Sequence, residues 1–139
     1  MKPLKILLIE DHEADRRLVE EALVDIQMPV QLTSLTDGDQ AIQYINRVGA
    51  YKNAARPDVI ILDLNMPLKD GHQFLEEVHR VLHREEIPVI LLSVSDDPRD
   101  VSKALRTRMN YFLSKPVNTE RLRQVLMAVH ELWMPAGKR

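Results

Sequence analysis

Two short apolar runs that end in acids restrict the fold more than any other feature of the chain. Val59-Ile60-Ile61-Leu62 is closed by Asp63 and leads into the turn Leu64-Asn65-Met66-Pro67-Leu68-Lys69-Asp70-Gly71. Ile6-Leu7-Leu8-Ile9 is closed in the same way by Glu10-Asp11. An unbroken apolar run of this length suits a strand covered on both faces, not one wetted on a side. Its closing acid then leaves the core at the carboxyl edge of the sheet, where open α/β sheets bind ligands. Two such strands place a carboxylate cluster there.

The rest of the chain alternates strand-like and helix-like stretches. Strands are predicted over Lys5–Ile9, Val30–Leu35, Asp58–Leu62, Val89–Ser93 and Tyr111–Ser114. The first helix carries Leu18, Val19, Ala22, Leu23 and Ile26 at helical spacing, with Glu13 and Asp15 in its opening turn. The second follows Asp37-Gly38 with Ala41, Ile42, Ile45 and Val48; the third starts near Asp70-Gly71 with Phe74, Leu75, Val78 and Leu82. The fourth follows Asp97-Pro98 with Val101, Ala104 and Leu105. The fifth is capped by Asn118 or Thr119 and carries Leu122, Val125, Leu126, Val129, Leu132 and Trp133. Strict alternation implies right-handed crossovers and a parallel sheet with helices on both faces. The expectation is a doubly wound five-stranded α/β fold of flavodoxin-like order 2-1-3-4-5, with five helices. In that order the first and third strands are neighbours, and Glu10, Asp11 and Asp63 meet. The long Gly49–Pro57 connection is the one irregular feature.

Composition bears mainly on partners. The chain has 139 residues, one domain by size, with 21 acids against 19 basic residues and a net charge of −2. No basic footprint for nucleic acid is present. The absence of cysteine excludes disulfides and thiolate metal sites. No apolar run reaches membrane-spanning length, so the expectation is a cytoplasmic protein without a membrane anchor.

Unit charges about 4 Å apart interact by roughly 4 kcal/mol at an effective dielectric near 20. Three carboxylates at that range raise a pKa or recruit a cation. An all-oxygen donor set favours Mg²⁺, with Mn²⁺ as the second choice, over zinc. A carboxylate beside such an ion can act as a nucleophile toward phosphorus. The fourth strand ends in Ser93, a hydroxyl suited to a phosphoryl oxygen. The fifth ends in Lys115, a compact cation, and a Lys115-Pro116 bond in a tight turn at a sheet edge suits the cis form.

Five segments then match a known family in order and spacing: ILLIEDHEAD (6–15), TDGDQAI (36–42), DVIILDLNMPLKDG (58–71), IPVILLSVSDD (87–97) and NYFLSKPVNTERL (110–122). Over essentially its whole length the chain resembles the receiver domain of two-component response regulators. The resemblance implies that Asp63 accepts a phosphoryl group from a sensor histidine kinase. It implies that Mg²⁺ is held by Asp11, the Asp63 carboxylate and the Asn65 backbone carbonyl, with Glu10 acting through water. Ser93 and Lys115 would hold the phosphoryl group, and Phe112 stands at the aromatic switch position. The loop at Gly49–Pro57, the Glu131-Leu132-Trp133 ending and the lack of an output domain resemble stand-alone receivers paired with bacterial phytochromes. Ser93 replaces the commoner threonine, Val94 stands at a usually small position, and Arg108-Met109-Asn110 replaces a small-residue approach to the fifth strand.

Other readings fit these residues less well. An aspartate-nucleophile phosphatase needs a second acid two residues after its nucleophile, where this chain has Asn65. A receiver-like interaction module acting without phosphorylation typically lacks one of the acids that are intact here. A DNA-binding output is disfavoured because only Met134–Arg139 follow the fifth helix. His72, His79 and His83 form a helical stripe, read as a solvated face and not a zinc site. Met127, His130 and Met134 form another, read as edge-of-core packing or as a homodimer contact on the face of the fourth helix, fifth strand and fifth helix.

Overall fold

The computed structural model describes residues 2–63, 87–94 and 110–133. Its five strands are β1 (Leu4–Ile9), β2 (Val30–Leu35), β3 (Val59–Asp63), β4 (Val89–Ser93) and β5 (Asn110–Ser114). All neighbouring strands pair in parallel, in the order β2-β1-β3-β4-β5. This is the order expected for a doubly wound sheet, and each strand lies within one residue of its predicted bounds. The third and fourth predicted helices, and the stripe of His72, His79 and His83, lie outside the described residues.

Three helices are described: α1 (Glu13–Asp25), α2 (Gly38–Asn46) and α3 (Thr119–Trp133). Asp37 caps α2 by accepting from the Gln40 N–H at 2.7 Å. At the start of α3 it is Asn118 that accepts, from the Arg121 N–H at 3.0 Å. His12 caps α1, its Nδ1 accepting from the Asp15 N–H.

Alternate residues of β1 and β3 feed two separate cores. Leu4, Ile6, Leu8, Val59 and Ile61 join Val19, Leu23 and Ile26 of α1 and Leu122, Leu126 and Val129 of α3. Leu7, Ile9, Ile60 and Leu62 join Ala41 and Ile45 of α2 on the opposite face. That two-sided burial explains why both strands are apolar along most of their length, the exposed Lys5 and the closing Asp63 apart. The Gly49–Pro57 connection is folded back on α2. It opens with a 3-10 turn over Gly49–Tyr51; the Tyr51 ring lies 5.4 Å from that of Tyr44, whose hydroxyl donates to the Ala55 carbonyl at 3.3 Å.

Three residues placed on apolar stripes are exposed instead: Leu18 at 46%, Val48 at 50% and Leu132 at 75%. Leu18 precedes the buried set Val19, Ala22, Leu23 and Ile26 by one position, about 100° round the helix. Val48 lies beyond the end of α2 at Asn46. Leu132 falls off the face defined by Leu122, Leu126 and Val129.

Candidate functional site

The site forms where β1 and β3 end side by side. Ile9 is paired with Leu62, so the acids that follow, Glu10-Asp11 and Asp63, emerge together at the carboxyl edge. The Glu10 N–H donates to the Leu35 carbonyl at 3.1 Å, which holds the end of β1 against β2. Glu10 is fully buried and Asp63 nearly so, whereas Asp11 is half-buried. One carboxylate oxygen from each of the three lies within 4.8 Å of the others.

Lys115 completes the centre from the end of β5. Its backbone N–H donates to the Ser93 carbonyl at 2.9 Å, and the Lys115-Pro116 bond is cis as expected. Its Nζ lies 3.1 Å from Glu10 Oε2, 3.1 Å from Asp63 Oδ1 and 3.0 Å from Asp15 Oδ2. Ser93 is buried at the end of β4, which pairs with β3 on one side and β5 on the other. Four strand ends thus contribute to one place. Phe112 is half-buried and packs on the core face shared with α2. Asn65 lies outside the described residues, as does Met134. His130 is buried and Met127 packs against the core, in keeping with the edge-of-core reading of that stripe.

Electrostatics make this a cation-seeking site. Burial of Glu10, then its hydrogen bond and charge repulsion with Asp63, push its carboxyl up to about 7 from 4.5. Burial opposes the charge on Lys115, but Asp15, Asp63 and Glu10 outweigh it and hold the ammonium above its ordinary value. Among the described residues Glu10 Oε2 has no well-aligned hydrogen bond, despite its closeness to Nζ. A cluster that keeps a proton near neutrality, with only oxygen donors, fits a hard divalent cation.

Asp15 is the member that sequence reasoning missed. Its acid was assigned only to the opening turn of α1, where carboxylates complement the helix dipole. The available signal was its place in the first turn of α1, close behind the Glu10-Asp11 pair that ends β1.

Comparison with known proteins agrees with this geometry. Residues 6–127 match the model of the response regulator receiver domain. The chain is 36% identical over 132 residues to the response regulator Rcp1 of Synechocystis sp., covering 95% of this chain and 90% of that one. Among solved structures it is similar to the phosphorylated cyanobacterial phytochrome response regulator RcpA. The identity is 37%, the TM-score 0.77, and 95% and 94% of the two chains are covered. The Mn²⁺-bound form of Rcp1 is similar at 35% identity, with a TM-score of 0.75 and 96% of each chain covered. Among the described residues no helix is long and apolar enough to cross a membrane. With its 2-1-3-4-5 sheet, its acid cluster at the β1–β3 edge and its phytochrome-linked relatives, the chain belongs to the response regulator receiver domain family.

Proposed function

We propose that this protein is a phosphorylation-controlled signalling switch whose phosphoacceptor is Asp63. The observation that carries the reading is the sharing of Asp63. Its carboxylate is nearly buried, lies 3.1 Å from Lys115 Nζ and belongs to the acid group able to hold a cation. A carboxylate so placed has the Lys115 ammonium at hand for an incoming phosphoryl group and would gain a second positive charge from a bound cation.

Glu10, Asp11 and Asp63, with the Asn65 carbonyl, would hold Mg²⁺ or Mn²⁺. When bound, such an ion neutralises charge on the phosphoryl oxygens. An Asp63 oxygen attacks phosphorus as the P–N bond of a sensor kinase's phosphohistidine breaks, and the electron pair returns to the imidazole. Lys115 holds a phosphoryl oxygen by a charge-assisted hydrogen bond, and the Ser93 hydroxyl moves to donate to another. Later attack by water on phosphorus releases inorganic phosphate and restores the Asp63 carboxylate. No separate substrate is turned over.

The phosphoryl group adds close to two negative charges, enough to bias a loop between two arrangements. Phe112 is the proposed partner in that change. The face that includes β5 and α3, where Leu132 is exposed, is the proposed docking surface for a target or a second copy. Similarity to RcpA and Rcp1 supports a phytochrome-type sensor kinase as donor, acting in the cytoplasm. Intact-mass measurement after incubation with acetyl phosphate tests the reading. The wild type gains one phosphoryl group only with Mg²⁺, and Asp63→Asn gains none; an equal adduct on Asp63→Asn refutes the assignment.

A further inference from the structure

Lys115 is held by three carboxylates, and only two of them belong to the acid group able to hold a cation. Glu10 and Asp63 are shared between that group and the lysine. Asp11 belongs to the cation group, whereas Asp15 stands outside it with its Oδ2 3.0 Å from Nζ. A cation in that group would thus have Asp11 to itself, as Lys115 has Asp15. The Asp15–Lys115 pair is also anchored at both ends. The Asp15 N–H donates to His12 Nδ1 at 3.4 Å in the first turn of α1, and the Lys115 N–H donates to the Ser93 carbonyl at 2.9 Å.

A divalent cation held by Glu10, Asp11 and Asp63 would compete for the two shared acids and repel the ammonium beside them. An acid outside the cation's reach then decides whether Lys115 stays beside Asp63. We infer that Asp15 is a positioning residue, holding the Lys115 ammonium beside Asp63 while the shared carboxylates are engaged by the cation. It touches neither the phosphoryl group nor the metal, and acts through Lys115. The inference rests on the phosphoacceptor reading above.

Asp15 is about one-third exposed, so its substitution leaves the fold intact. The test compares wild type, Asp15→Asn and Asp15→Glu, each also in a Lys115→Ala background. The rate of phosphorylation by acetyl phosphate is read at saturating Mg²⁺, and the Lys115 side-chain nitrogen resonance is read in the metal-free proteins. Loss of one charge-assisted hydrogen bond slows Asp15→Asn by about tenfold, and Asp15→Glu recovers most of the rate. The Lys115 resonance shifts and exchanges faster in Asp15→Asn and returns toward wild type in Asp15→Glu. In the Lys115→Ala background the Asp15 substitutions change the rate less than about twofold, because no ammonium remains to be placed. An unchanged rate and resonance in Asp15→Asn, or an equal loss without the lysine, overturns the positioning role. A wild type that takes no phosphoryl group while the Lys115 resonance still responds to Asp15 overturns the phosphoacceptor reading, and the catalytic meaning of the pair with it.

Discussion

Ionising Glu10 sets a fully buried carboxylate against Asp63, with one ammonium shared between them. The consequence is a pH dependence opposite in sign to that of an ordinary salt-bridged acid. With its carboxyl pushed up to about 7 from 4.5, Glu10 binds a proton more tightly in the folded chain than in the unfolded one. Its contribution to the stability of the metal-free protein is therefore complete below about pH 4.5 and is lost as the pH rises toward 7. The urea midpoint of the metal-free wild type, relative to Glu10→Gln, is expected to fall across that window. A difference that is flat or rising with pH would contradict the cause given for the shift.

At the scale of elements, β3 does two jobs with one sequence. Val59 and Ile61 fill the core under α1 and α3, Ile60 and Leu62 fill the core under α2, and Asp63 is delivered to the edge. Truncating the strand at one of these points leaves a cavity between close-packed layers. Ile61→Ala is expected to cost about 2–5 kcal/mol in chemical denaturation. A cost below about 1 kcal/mol would mean that the layer collapses around the gap. The inner strands β1, β3 and β4 were legible because two-sided burial writes itself as a nearly unbroken apolar run. The helix faces were less so: Leu18 and Leu132 are apolar by type but turned away from the core, and type alone does not reveal rotation about a helix axis. The folding of Gly49–Pro57 onto α2 depends on the Tyr44–Tyr51 contact, which no local pattern announces.

At the scale of the molecule, parallel pairing of β1 with β3 converts two distant stretches of sequence into one acid cluster. Glu10, Asp11, Asp63 and Lys115 could be named in advance because topology alone brings those strand ends together. Asp15 could not, since its contact with Lys115 spans 100 residues of sequence and an acid in the first turn of a helix is commonplace. Because the cluster exists only in the folded state, a cation bound there stabilises the whole fold. At a Mg²⁺ concentration one hundred times its dissociation constant the gain is about 2.7 kcal/mol. The thermal midpoint should rise with Mg²⁺ in the wild type and stay nearly still in Asp11→Ala; an equal rise in both would place the ion elsewhere.

The most direct test is to locate the phosphoryl group itself. After reaction with acetyl phosphate and Mg²⁺, borohydride reduces an aspartyl-phosphate to homoserine, and peptide mass spectrometry reads the position. The account predicts homoserine at residue 63 and at no other acid of the cluster. Homoserine at Asp11 or Asp15, or the one-carbon-longer hydroxynorvaline at Glu10, in place of homoserine at residue 63, or no reduced residue at all, would contradict it.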